Sequence, residues 1–212
     1  MTMVKETRAV ANFEEVVMEG DGELIVTQGE PEALAIEADA ALLPNIKSDV
    51  RDARLTLGPQ HSRDYSHWRP VTYRLTMKTI RGISIPGSGS VATGEVRTDR
   101  CRLRLSGSGR ASLARLRAAS AEFEISGSGR IDIDDGEVGR QVISITGSGH
   151  LDAGHVACEE AEVQISGSGN VRLQASRKLD VDISGSGEVS YRGQAVLSQH
   201  VSGSGRVRQS RG

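Results

Sequence analysis

The stretch FEISGSGRIDI, Phe123 to Ile133, decides how this chain folds, because its centre, Gly-Ser-Gly, occurs at six other places. The seven triplets begin at Gly87, Gly107, Gly127, Gly147, Gly167, Gly185 and Gly203, spaced 20, 20, 20, 20, 18 and 18 residues apart. A period of this length, held this regularly, marks stacked supersecondary units.

Aligned on the first glycine, the repeats alternate on both sides. Two residues before it stand Ile85, Leu105, Ile125, Ile145, Ile165, Ile183 and Val201, and two earlier stand Ile83, Leu103, Phe123, Ile143, Val163 and Val181, with Gln199 breaking the series. Four residues after it come Val91, Ala111, Ile131, Leu151, Val171, Val189 and Val207. A strand with one buried face therefore leads into each triplet and another leaves it. The glycine pairs, Gly87 and Gly89, Gly107 and Gly109, Gly127 and Gly129, Gly147 and Gly149, Gly167 and Gly169, Gly185 and Gly187, Gly203 and Gly205, suit a tight corner with positive φ or close approach of a neighbouring backbone.

Such strands cannot bury their inner face alone, but copies stacked about 4.8 Å apart can, and seven of them make a column of roughly 35 Å. The expected fold is all-β: a single-stranded, right-handed parallel β-helix whose rungs of about 20 residues turn at GSG corners. A sandwich of hairpins closed by GSG is the alternative, and the constant side-chain register from repeat to repeat favours parallel stacking. Composition agrees, since glycine is 25 of 212 residues and aromatics only 3%, so small and branched aliphatics must fill the core. Residues 1–82 lack the triplet, yet ELIVTQG, EALAIEAD, ARLTLGP and VTYRLTM read as strands. They are expected to form irregular first coils and an N-terminal cap, continuous in one domain with the regular helix of 83–212.

The net charge of −2 gives no case for a nucleic-acid binder, and no apolar run is long enough for a membrane span. Lys and Arg minus Asp and Glu is −7 over residues 1–60, +9 over 61–120, −6 over 121–180 and +2 thereafter, which predicts charged bands along the column. One period apart, Arg102 precedes Glu122 and Arg104 precedes Glu124, so opposite charges should meet on neighbouring rungs.

Stacking also gathers candidate site residues. Arg130 and Asp132, His150 and Asp152, and Arg172 fall at outward positions of consecutive rungs, with Asp132 and Asp152 about 5 Å apart. Paired carboxylates beside a cation are what a polysaccharide lyase or hydrolase would use, whereas a solvated strand face needs no such role. Tyr65 and Trp68, in the polar stretch GPQHSRDYSHWRP, are the candidate partner-contact loop. The acidic turn DIDDGE, Asp132 to Glu137, fails the spacing of a calcium loop, and the five histidines make no zinc pattern, so no metal or cofactor is expected. Cys101 and Cys158 fall in different registers two to three rungs apart and should be free thiols. At the last strand, VSGSGRVRQSRG, only Arg206, Arg208 and Arg211 discourage edge pairing, which favours a homo-oligomer.

RAVANFEEV, GELIVTQG and LAIEADAALLPNIKSDVRDARLTL, followed by serial [ST]GSG turns, resemble the bacterial "putative autotransporter adhesin, head GIN domain" family over nearly the whole chain. The resemblance implies a β-helix similar in shape to pectin lyases, without catalytic residues, in an adhesive role. The expected function is thus a non-catalytic, structural or adhesion-type β-helix presenting a repetitive surface to a glycan, a protein partner or itself. A polysaccharide-active enzyme and a cytoplasmic self-assembling scaffold are the alternatives. The resemblance further implies a periplasmic or cell-surface location, although MTMVKETRAV carries no secretory signal and leaves the cytoplasm open.

Overall fold

The computed structural model describes residues 2–60 and 71–210 and is an all-β parallel solenoid. Ser90, Arg110, Arg130, His150, Asn170, Glu188 and Arg206 stand in one column, each opposite the next on a parallel strand. The inward columns read from the repeat are the core: Ile85, Leu105, Ile125, Ile145, Ile165 and Ile183 are buried, as are Ile83, Leu103, Phe123, Ile143, Val163 and Val181. Gln199, the exception in sequence, is exposed on the final rung.

The strands are longer than the alternation around each triplet suggests. Ser90–Gly107 and Arg110–Gly127 each run 18 residues. The register between them steps over Gly94 opposite Ala114 and over Asp99 opposite Ala119, and burial changes phase there, Leu113 and Leu116 both facing inward. A full rung therefore has three straight stretches, and the middle one adds Val96, Leu116 and Val156 to the core. Where the period falls to 18, Asp152 pairs with Arg172 but Glu160 with Lys178, so the two missing residues come out between Arg172 and Lys178.

From the second triplet on, strands end at the first glycine and resume after the second. The two glycines are required for different reasons. Gly147 has φ 114°, and a Cβ there would lie 2.6 Å from the carbonyl oxygen of Gly127 one rung below. Gly149 has ordinary φ, but its Cβ would come 2.5 Å from Cγ2 of Ile125.

The N-terminal strands depart from purely parallel stacking. Gly22–Gln28 pairs in parallel with Val71–Met77 and Ser90–Gly107, and Glu15–Met18 with Arg54–Pro59 and Gly82–Ile85. Ala33–Asp39, by contrast, runs antiparallel to both Met3–Arg8 and Val71–Met77, and Ile46–Arg51 antiparallel to Arg54–Pro59. One cluster of buried apolar side chains extends from Phe13 to Tyr191.

The charge bands have a structural counterpart. Arg102 and Arg104 reach the rung above to Glu122 at 2.7 Å and Glu124 at 2.5 Å, and Arg115 pairs likewise with Asp135. Opposite charges on neighbouring rungs thus meet side by side.

Candidate functional site

The five outward residues singled out in sequence do become neighbours. Asp132 lies opposite Asp152, which lies opposite Arg172, and Arg130 lies opposite His150. Short strands, Arg130–Ile133 and His150–Asp152, place them beside a break in the rung. Each carboxylate is already engaged: Nε of Arg130 donates to Oδ2 of Asp132 at 2.8 Å, and Nη1 of Arg172 donates to Oδ2 of Asp152 at 2.8 Å. Oδ1 of Asp152 also accepts the Gly154 N–H at 3.1 Å. Gly154 lets this pair form, because a Cβ on it would come 2.8 Å from Cδ of Arg172.

Arg130, Asp132 and Asp152 line an open concavity of about 760 Å³ together with Arg110, Ser112 and His155. Arg172 adjoins it through Asp152, whereas His150 is half-buried outside the lining. Burial, then the neighbouring Arg130 charge, hold the His150 pKa below its ordinary value. The shelf therefore offers fixed guanidinium donors and carboxylate acceptors, the groups that hydrogen-bond hydroxyl-rich ligands.

Tyr65 and Trp68 lie outside the described residues. Within DIDDGE, Asp135 pairs with Arg115 and accepts the Gly136 N–H at 2.8 Å, so its charge is met by protein groups. Among the described residues no three metal-ligating side chains converge. Cys101 and Cys158 are buried free thiols, and burial pushes their pKa values up to about 12 and about 11.

Sequence reasoning missed a second concavity of about 540 Å³, rimmed by Arg81, Arg100, Arg102 and Arg140 over a floor of Cys101 and Ala121. Its signal is in the 20-residue offset: Arg102 and Arg104 meet glutamates on the next rung, but Arg100 meets Ser120. Also missed was Gln141, fully buried, with neither amide atom hydrogen-bonded among the described residues.

Residues 12–195 match the family described as "Putative auto-transporter adhesin, head GIN domain". Among solved structures, a "putative adhesin" from Bacteroides fragilis shares 21% identity, covering 98% of this chain and 97% of its own, with a TM-score of 0.90. A "putative adhesin" from Parabacteroides merdae is 22% identical over 99% and 96% of the two chains, with a TM-score of 0.80. A protein from Parabacteroides distasonis titled "Putative lipid binding protein" is 20% identical over 99% and 97%, with a TM-score of 0.75. At these identities the likeness is one of fold. No curated protein matches the chain.

Proposed function

Because this chain belongs to the auto-transporter adhesin head GIN domain family, we propose that it is a non-catalytic, adhesion-type β-solenoid whose polar shelf around Asp132 and Asp152 binds a glycan. One observation carries this reading: both carboxylates are held by arginines in an open concavity, which presents a rigid donor and acceptor pattern to sugar hydroxyls. Residues 1–82 form the first coils and cap of the column, 83–212 its regular part, and the protein works in the periplasm or at the cell surface.

Glycan-array binding by the purified protein, beside an Asp132→Ala, Asp152→Ala double variant, tests it. Saturable binding to a glycan that the double variant loses while its unfolding curve is preserved is the expected result. Binding that is indifferent to the substitution, or turnover of a bound polysaccharide that needs both aspartates, overturns it, the latter in favour of an enzyme.

A further inference from the structure

The strand Val196–Gly203 differs from those stacked beneath it. Leu197 and Val201 continue the inward columns above Leu179 and Ile183, yet they are only partly buried, where Leu179 and Ile183 are sealed. Between them Gln199 stands above Val181, in a column that is apolar on every rung below, and it is exposed. Its sequence, VLSQHVSG, holds no Lys, Arg, Asp, Glu or Pro, whereas Lys178–Gly185 beneath it carries Lys178, Asp180 and Asp182. Charged residues and proline are the usual guards of a sheet edge.

This edge is open. Val196–Gly203 pairs below with Lys178–Gly185, and among the described residues no strand pairs it above. Val196 donates its N–H downward, to the Arg177 carbonyl at 3.0 Å. Amide groups along a strand point alternately to its two neighbours, so those of Leu197, Gln199 and Val201 point up, toward the open side.

The edge is also self-complementary. Laid antiparallel on a copy of itself about Gln199, it sets Leu197 against the second copy's Val201 and Gln199 against its own counterpart. The opposed side chains all face inward, and the opposed amides all face the partner. Across the two-fold axis the Gln199 side chains can bond each other, donor to acceptor. A slip of two residues would oppose Gln199 to Leu197, so the glutamine fixes the register.

Neither other edge offers this match. Arg206 and Arg208 guard the second half of the last rung. At the foot of the same side of the column, Ile46–Arg51 carries Lys47, Asp49 and Arg51.

We propose that the Val196–Gly203 edge joins two copies of this chain top to top, as an antiparallel strand pair centred on Gln199. Such a contact uses the same patch on both copies and closes on itself, so assembly stops at two. One strand pair is a small interface, so the dimer is weak. The inference is independent of the glycan shelf, which lies on other strands.

Sedimentation equilibrium of the full chain, over a concentration series reaching the millimolar range, tests it. A monomer and dimer in exchange are expected, with the dissociation constant raised at least tenfold by Gln199→Lys, which opposes two ammonium groups while sparing the unfolding curve. Gln199→Cys places two thiols on directly opposed residues, about 5.5 Å apart between Cα atoms, so a disulfide-linked dimer should form under mild oxidation. Val196→Cys, more exposed, lies about 20 Å from its own copy in this register and should not cross-link. A monomer throughout, association indifferent to Gln199→Lys, equal cross-linking of the two cysteine variants, or growth past the dimer overturns the proposal. The Asp132→Ala, Asp152→Ala variant should dimerise as the parent does, which separates failure here from failure of the glycan reading.

Discussion

Asp132 and Asp152 occupy the same register position on adjacent rungs, and each holds a different arginine, Arg130 on its own strand and Arg172 on the next rung. The arginines thus separate two like charges that would otherwise repel across the ladder. Removing one should cost little by itself, because these are surface pairs. Arg172→Ala is expected to lower unfolding stability by no more than about 1 kcal/mol in urea titration, and a loss of several kcal/mol would show that the pair is structural.

The GSG triplets predict a sharp contrast between neighbours. Gly147→Ala puts a Cβ against the Gly127 carbonyl at positive φ and should destabilise by about 2 kcal/mol or more. Ser148→Ala, at an exposed position, should stay within about 0.5 kcal/mol of the parent. Thermal unfolding of the two variants side by side reads the difference directly.

His150 should make the protein acid-sensitive. Its pKa is lowered in the folded state, so below the unfolded value of about 6.5 the unfolded chain takes up a proton that the folded chain refuses. Its destabilising effect is absent above that pH and grows as pH falls toward the folded value. His150→Gln should flatten the stability profile between about pH 6.5 and the folded pKa; an unchanged profile would mean that the ring is solvated.

Both thiols should be silent toward alkylation in the native protein at pH 8, since burial pushes Cys101 to about 12 and Cys158 to about 11. Intact mass after iodoacetamide should show no adduct natively and two in urea. A native adduct would place Cys158 in contact with solvent through the groove lined by Val138, Gly139 and Ser176.

Gln141 sits in an inward column between Ala121 and Ala161. Burying an amide without partners is unfavourable, so Gln141→Met, similar in length and apolar, should raise stability by about 1–3 kcal/mol. A destabilised variant, by denaturant midpoint, would indicate that the amide is satisfied in solution.

The meeting of Asp132, His150, Asp152 and Arg172 was legible because register in a solenoid equals sequence period, so an offset of 20 is a contact. The same rule made the Arg102 and Arg104 pairs readable. The three-sided rung was not, because the residue at each extra break changes from rung to rung, Gly94 then Ala114 at one and Asp99, Ala119 then Gly139 at the other, so no repeated turn signal marks it. Nor was the role of Gln28, whose bonds to Arg97 span 69 residues between a non-repeating strand and the first regular rung. The antiparallel N-terminal pairings escaped for the same reason: strand patterns give a face, and only a repeat gives a partner.

The two-residue shortening between Arg172 and Lys178 leaves the strands on both flanks in step. Length is therefore a local property of one side of a rung, while the whole rung is the unit of exchange. Excising residues 130–149 would join Gly129 to His150, whose surroundings match those of Arg130, and the column should close one storey shorter; cutting out half as many would turn every inward side chain above the cut onto a face built for another. The protein is in this sense modular masonry, open to lengthening and shortening by whole courses and to ornament on the side where the course is already uneven.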